Sequence, residues 1–449
     1  MRKLFGTDGI RAVAGESPLD PKTIYAVGLA LAHQLQMSSQ QPRVILGMDT
    51  RESSEWIAGV LAAGLSKGGA ATESAGVITT PAIAYLARKH RFSAGVVISA
   101  SHNPWHDNGI KIFGGDGYKL PDEVELRIEE EIFKQLATVP AIDPSAVAAL
   151  QPKEHYRAEY EAFLLSAVPA LALGEMKLVL DCANGAASAI APELFARLGG
   201  HIQLTHVQPD GRNINADCGA LYPATVAAET KATQSDIGVT FDGDADRALF
   251  ADAQGRVVNG DAILLLAARD LKTKGLLHKD TVVATTMSNM GLEAALKRDG
   301  ITMLRAPVGD KYVLEMMQAN AASLGGEQSG HILFPHLATT GDGLLTALVV
   351  LDIVRRSGKL LHELLADLKV FPQVIVNIRV KEKKPLMEFA TIADTIHAAE
   401  NELNGNGRVV VRYSGTEPLA RVMIEAESEA LMRRHADFIA DAIRDELGA

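Results

Sequence analysis

Nearly throughout this chain, short apolar runs of strand length alternate with stretches whose apolar residues recur every three or four positions. That alternation builds strand–helix units around mostly parallel sheets, because each face of such a sheet must be covered by the apolar stripe of a helix. Asp20 followed by Pro21 offers a cap and a first turn, after which Ile24, Val27, Leu31 and Leu35 share one helical face; Thr80-Pro81 opens a second helix in the same way. Both should cover a sheet containing strands at 44–46 and 96–98. The stretch 138–153, broken by Pro140, Pro144 and Pro152, reads as a linker. Beyond it come strands at 177–180 and 237–241, an Ala-rich helix after residue 185, a polar hairpin at 252–255 and a helix at 262–271. The C-terminal part shows strands at 374–380 and 409–412, a helix at 389–403 and a last helix from 430 onward. At 449 residues, and with roughly 100–200 residues to a domain, the chain divides into four: 1–153, 154–252, 253–368 and a smaller 369–449.

Composition excludes several classes of partner. A net charge of -11 disfavours nucleic acid and anionic membrane surfaces as general partners, while leaving room for a locally basic pocket. The only cysteines are Cys182 and Cys218, too few for a disulfide framework or a zinc cluster and in keeping with a reducing cytoplasm. No secretory leader or membrane span is evident, so a cytoplasmic protein is expected.

The segment 97–111 reads Val-Ile-Ser-Ala-Ser-His-Asn-Pro-Trp-His-Asp-Asn-Gly-Ile-Lys. It sets the Ser101 hydroxyl where an apolar, β-branched strand breaks into a turn that Asn103-Pro104 prevents from continuing as strand. Ligands of open α/β sheets bind beyond the carboxyl ends of strands, so Ser101 stands where a nucleophile would. A serine before Asn-Pro also serves as a plain turn former. His102 is its sequence neighbour, and only geometry can decide whether it is its base.

Phe241-Asp242-Gly243-Asp244-Ala245-Asp246-Arg247 places three carboxylates at alternate positions, which an extended backbone would project to one side. Like charges that close call for a cation, and an all-oxygen set with few protein ligands suits Mg2+. An EF-hand calcium loop is excluded, because its sixth and twelfth places hold Arg247 and Ala253 rather than Gly and Glu. Two alternatives stand beside the metal reading: a solvated acidic turn, and a haloacid-dehalogenase nucleophile loop with Asp242 as phosphoryl acceptor. Against the latter, Asp246 occupies the place of its usual Thr or Val. Gly325-Gly326-Glu327-Gln328-Ser329-Gly330-His331 combines acceptors, donors and close-approach glycines suited to sugar hydroxyls, or forms a plain turn. Arg412-Tyr413-Ser414-Gly415-Thr416-Glu417-Pro418 offers a guanidinium, hydroxyls and freed amides to a phosphate, or a Ser/Thr turn. Phe5-Gly6-Thr7-Asp8-Gly9-Ile10-Arg11 is a further glycine-rich loop carrying a cation.

Taken with Asp107-Asn108-Gly109-Ile110-Lys111 and Thr340-Gly341-Asp342-Gly343, these segments stand in the order found in the α-D-phosphohexomutase superfamily, which the chain resembles over essentially its whole length, nearest to the bacterial enzymes acting on glucosamine phosphates. The resemblance implies an α/β fold of four domains around a central cleft: three mixed-sheet α/β domains of one topology and a smaller C-terminal α+β domain. It implies an isomerase that interconverts glucosamine 6-phosphate and glucosamine 1-phosphate through a phosphoserine at Ser101. It further implies one Mg2+ on Asp242, Asp244, Asp246 and the Ser101 phosphate, with a glucose- or glucosamine-1,6-bisphosphate as activator and intermediate. Arg11, His102 and Lys111 would surround the transferring group, with Lys111 as proton shuttle. Arg247, Glu327, Ser329 and His331 would bind the substrate, and Arg412, Ser414, Gly415 and Thr416 would grip its non-reacting phosphate. A homodimer is expected, with no nucleic-acid or membrane partner.

Ala12, Lys311, Tyr413 and the stretch Cys218-Gly219-Ala220-Leu221-Tyr222-Pro223 depart from the pattern of that branch. They touch sugar choice rather than reaction type, so a phosphomannomutase or phosphoglucomutase activity is the near alternative. Ser99 and Gln328 favour the glucosamine branch. A catalytically silent sugar-phosphate sensor would need neither the nucleophile nor the acidic trio.

Overall fold

The computed structural model describes residues 3–6, 8–414 and 418–448. Up to Met287, and again over Met303–Leu365, the chain forms one compact unit; Ser288–Thr302 and the chain from Ala366 form another. The first unit contains three sheets. β1 (Ile10–Val13), β2 (Arg43–Met48), β3 (Ala71–Val77), β4 (Ala94–Ile98) and β5 (Asp107–Gly114) line up as β1-β5-β4-β2-β3. β6 (Lys177–Asp181), β7 (His201–Thr205), β8 (Ile237–Phe241), β9 (Ala248–Asp252) and β10 (Val257–Val258) line up as β10-β9-β8-β6-β7. β11 (Thr281–Thr285), β12 (Thr302–Ala306), β13 (Gly325–Gly326) and β14 (Ile332–Leu333) follow as β12-β11-β13-β14. The same four-strand pattern recurs in each, with β1 and β10 as added edge strands.

These sheets are mixed rather than mostly parallel. β4 pairs parallel to β2 but antiparallel to β5, β8 pairs parallel to β6 but antiparallel to β9, and β13 repeats the arrangement between β11 and β14. Complete burial of β4 agrees with its unbroken apolar sequence, since helices cover both of its faces. The helix Pro21–Gln36 is capped by Asp20, whose carboxylate accepts the Thr23 amide at 3.0 Å. Ile24, Val27 and Leu31 of this helix are buried with Val44, Leu46, Val96 and Ile98, and Leu35 lies at the margin of that core. The helix Thr80–Lys89 follows β3. The expected single Ala-rich helix after β6 is instead a 3-10 turn, Ala186–Ala189, and a short helix, Ala191–Ala196, with Pro192 in its first turn.

In every repeat the loop between the third and fourth strands carries one of the polar motifs. Ser101 lies between β4 and β5, Asp242 to Arg247 lie between β8 and β9, and Glu327 to His331 lie between β13 and β14. The C-terminal unit is built on β15 (Gln373–Arg379), β16 (Gly407–Tyr413) and β17 (Leu419–Ala426), in the antiparallel order β15-β17-β16. The helices Ala390–Leu403 and Glu429–Leu447 bury Ile392, Ile396, Ile439 and Ile443 against Val422 and Ile424. The helix Met290–Arg298 belongs to this unit, its Met290 amide donating to Glu425 at 2.7 Å.

Candidate active site

Ser101 sits on a backbone kink with φ of 53°, the left-handed region that a non-glycine residue adopts only when its surroundings enforce it. Those surroundings are on hand. The Ser99 hydroxyl accepts the Ser101 amide at 2.9 Å, while the Ser101 carbonyl accepts from the buried Arg51 guanidinium at 3.1 Å and the Asn215 side-chain amide at 3.0 Å. Arg51 and Asn215 also hold the Asn103 carbonyl, at 2.6 and 3.2 Å. The buried Ser101 hydroxyl, so aimed, donates to Asp242 Oδ2 at 2.5 Å. His102 Nδ1 lies 3.3 Å from the same oxygen. Burial, and then the nearby Arg247 and Arg11, push the His102 imidazole down to about 4, so it is neutral at pH 7.

The three aspartates converge, but not by extension. The segment 242–247 is a turn in which Ala245 takes φ of 55°, and the curl brings carboxylate oxygens of Asp242, Asp244 and Asp246 within 4.8 Å of one another, all buried. Gly243 is required there, because a Cβ would stand 2.4 Å from the Ser101 carbonyl oxygen. Thr80 fixes Asp244, donating its hydroxyl to Oδ2 at 2.5 Å and its amide to the backbone carbonyl at 3.0 Å. The buried Lys111, on β5, reaches Asp244 at 2.8 Å and Asp8 at 2.9 Å, with Asp246 at 3.7 Å. Burial and its two acidic neighbours, Asp246 and Asp244, raise the Asp242 carboxyl well above its ordinary range. Burial also acts on Asp246, but Lys111 and His331 hold it far below that range. Asp244 Oδ1 and Asp246 Oδ1 are buried with no hydrogen-bond donor. An oxygen-only cluster with two unfilled acceptors fits a hard divalent cation, so the acidic trio can bind a metal.

A cavity of 420 Å³ adjoins the cluster, lined among others by Arg11, His102, Asp246, Arg247, Glu327 and His331. Arg11 is held by the Ala100 carbonyl at 3.1 Å, by Asn103 Oδ1 at 3.3 Å and by Asp8. Arg247 donates its amide to Asp242 Oδ1 at 3.2 Å, which leaves its side chain to the cavity. Glu327 accepts the Gly309 amide and the Ser329 hydroxyl, each at 3.0 Å, so these two predicted sugar ligands are held as a pair. His331 is buried 3.6 Å from Asp246 and 3.8 Å from Asp310. Burial alone would lower it, but Asp246, Asp310 and Glu327 raise it to about 9, leaving a cation at neutral pH. Six predicted residues (Arg11, His102, Asp246, Arg247, Glu327, His331) therefore meet in one cavity.

Below the acidic loop, Asp342 caps the helix Gly343–Ser357 and accepts the Tyr160 hydroxyl at 2.6 Å, both side chains being buried. The Gly343 amide donates to the Ala245 carbonyl at 2.9 Å, which ties that cap to the curl of the acidic loop. Burial pushes the Asp342 carboxyl up to about 6. A folded-state value above the unfolded one means that the associated stability is complete at low pH and is lost as pH rises through 6. Tyr160→Phe withdraws a donor from the ionised form. It should cost about 1.5–3 kcal/mol at pH 8 and distinctly less at pH 5, as read by urea unfolding at the two values.

Comparison with known proteins gives matches to all four domains described as phosphoglucomutase/phosphomannomutase: alpha/beta/alpha domain I at residues 2–138, domain II at 156–255, domain III at 259–371 and the C-terminal domain at 375–442. A phosphoglucosamine mutase of Koribacter versatilis is 58% identical over 100% of this chain and 98% of its own length. The chain belongs to the phosphoglucomutase/phosphomannomutase family. A phosphoglucosamine mutase of Caldicellulosiruptor saccharolyticus is 46% identical, with both chains covered in full. Among solved structures, a family protein of Burkholderia thailandensis superposes with a TM-score of 0.79 at 22% identity, over 99% of each chain. An Aspergillus fumigatus N-acetylphosphoglucosamine mutase, solved with GlcNAc-6P and magnesium, gives 0.65 at 21% identity, over 99% of this chain and 96% of that one. Family membership confirms the four-domain α/β architecture and removes the haloacid-dehalogenase reading of Asp242.

Of the expected phosphate-gripping residues, Arg412 lies on β16, opposite Arg421 of β17. Ser414 is buried at the strand's end, its carbonyl accepting from Lys383 at 2.7 Å. Gly415 and Thr416 lie outside the described residues. Sequence reading gave no place in the site to Asp8, Arg51, Thr80, Lys119, Asn215 or Asp310, all of which hold parts of it. Among the described residues no helix is long and apolar enough to cross a membrane.

Proposed function

We propose that this family member is a phosphoglucosamine mutase, interconverting glucosamine 6-phosphate and glucosamine 1-phosphate in the cytoplasm by way of phosphorylated Ser101. The observation that carries the reading is the Ser101 hydroxyl lying 2.5 Å from the Asp242 carboxylate, within a metal-competent trio beside a cation-lined cavity. The names of relatives at 58% and 46% identity support the choice of sugar.

Asp242, Asp244 and Asp246 would hold one Mg2+, with the Ser101 phosphate completing the set; bound there, the ion supplies neutralisation of phosphoryl charge. Phosphoryl transfer depends mainly on positioning and charge. The substrate hydroxyl attacks the phosphorus of phospho-Ser101; the new sugar O–P bond forms as the Ser101 O–P bond breaks, giving a 1,6-bisphosphate. The attacking hydroxyl releases one proton and the departing Ser101 oxygen takes one up. We assign that exchange to Lys111, which Asp244, Asp8 and Asp246 keep protonated against burial, so that donation to Ser101 is its first act. Arg11, Arg247 and His331 supply fixed positive charge around the transferring group, and neutral His102 leaves a ring nitrogen beside Ser101. Glu327 and Ser329 orient sugar hydroxyls. Arg412, Ser414, Gly415 and Thr416 hold the distal phosphate. The bisphosphate then presents its other phosphate to Ser101, which is rephosphorylated.

Glucosamine 6-phosphate, glucose 1-phosphate and mannose 1-phosphate, assayed side by side with Mg2+ and catalytic 1,6-bisphosphate, test this directly. Glucosamine phosphate should give the highest kcat/KM by at least about tenfold, with phosphate found by peptide mass on Ser101. A preference for either hexose would move the chain to a phosphoglucomutase or phosphomannomutase activity.

A further inference from the structure

The loop before β1 is pressed onto β5. Gly9 has φ of 82°, and a Cβ there would lie 2.3 Å from the Ile110 carbonyl oxygen, so a side chain is excluded by both conformation and space. The Gly6 amide closes the loop on the Gly9 carbonyl at 2.8 Å. Asp8 is thereby presented to Lys111, the residue after Ile110. One Asp8 oxygen takes the Arg11 guanidinium and the Lys111 ammonium, and the other takes Lys119 Nζ at 2.6 Å. Lys119 reaches on to Asp310, also at 2.6 Å. A single carboxylate outside the acidic trio thus gathers three cations.

Lys111 divides its charge between Asp8 at 2.9 Å and, in the trio, Asp244 at 2.8 Å and Asp246 at 3.7 Å. The ammonium and a divalent cation would compete for Asp244, because a buried cation needs a counter-ion and two cations on one carboxylate repel. We propose that Asp8 is a positioning residue: it is the counter-ion onto which Lys111 falls back when a divalent cation occupies the acidic trio. This rests on the metal reading given above. It adds that metal affinity is set partly by a carboxylate that is not itself a ligand.

The test is calorimetric titration of Mg2+ alone into the dephosphorylated full-length protein, using wild type, Asp8→Asn, Lys111→Met and the double variant. Neutralising Asp8 leaves Lys111 dependent on the trio, so Mg2+ should bind roughly tenfold more weakly in Asp8→Asn. Removing the competing ammonium in Lys111→Met should tighten binding by a similar factor. On the Lys111→Met background, Asp8→Asn should change affinity less than about twofold, the signature of an effect transmitted through the lysine. Equal weakening with and without Lys111, or no weakening at all, overturns the proposal. Should Asp8→Asn fail to fold, Lys111→Met alone decides, since unchanged or weaker binding there rules out competition. A wild-type protein that takes up no Mg2+ sinks the metal reading as well, whereas a wrong pattern among the variants sinks only the role of Asp8.

Discussion

Ser101→Ala is expected to lower turnover of glucosamine phosphate by about 10,000-fold or more, because on the proposed route phosphate passes through this hydroxyl and its loss removes the step rather than slowing it. The fold should survive. The kink at Ser101 is held by Ser99, Arg51 and Asn215 through backbone atoms that alanine retains, so the melting temperature should move by only a few degrees. A coupled assay with Mg2+ and bisphosphate measures the first quantity, and calorimetry the second. Phosphate should disappear from the peptide containing residue 101. Turnover within tenfold of wild type would overturn the phosphoserine route.

The second large effect concerns Asp242. Asp242→Asn keeps an oxygen to accept from Ser101 but removes one of three charges, and should reduce turnover by about 1,000-fold. Its effect on stability should run the other way. Burial and the adjacent Asp246 and Asp244 raise the Asp242 carboxyl in the folded protein. Its contribution to stability is therefore complete below the unfolded value near 4 and is lost as pH climbs through the raised one. At pH 7.5, without metal, the asparagine variant escapes that cost and should melt no lower than wild type. Mg2+ should then raise the wild-type melting temperature by mass action and leave the variant nearly unmoved. Thermal scans with and without Mg2+ check this; an equal Mg2+ response in both proteins would place the ion elsewhere.

Local chemistry made much of the framework readable. Asp20-Pro21 begins its helix as capping physics requires and the apolar run of β4 is buried on both faces, whereas the helix at Thr80-Pro81 starts after Thr79 without a side-chain cap, the Thr80 hydroxyl going to Asp244 instead. Several strands were hidden, β5 and β17 among them. β5 starts Asp107-Asn108-Gly109, a turn-like beginning that becomes a strand only because β4 and β1 flank it. β17 reads Leu-Ala-Arg-Val-Met-Ile-Glu-Ala, which suits a helix as well as a strand until β15 and β16 pair with it. The aspartates were found, but not how they converge, since nothing local announces the left-handed Ala245.

Residues that orient the site were harder to see than those that would act in it. Asp8 lay within a quoted motif, and its acid among nearby cations was a signal open to reading. Arg51 and Asn215 carried none, for they meet the Ser101 loop only after folding joins positions 50 and 114 residues apart in sequence.

The three sheets place Ser101, the acidic trio and the 327–331 loop at one topological address, the crossing from a parallel strand to its antiparallel neighbour. Each duty is thereby modular. On the proposed roles, a new sugar preference can arise by rewriting Glu327 and Ser329 between β13 and β14 while Ser101, two repeats away, the acidic trio, one repeat away, and His331 beside Asp246 are kept, which gives the scaffold a ready route to diversify what it accepts while conserving what it does.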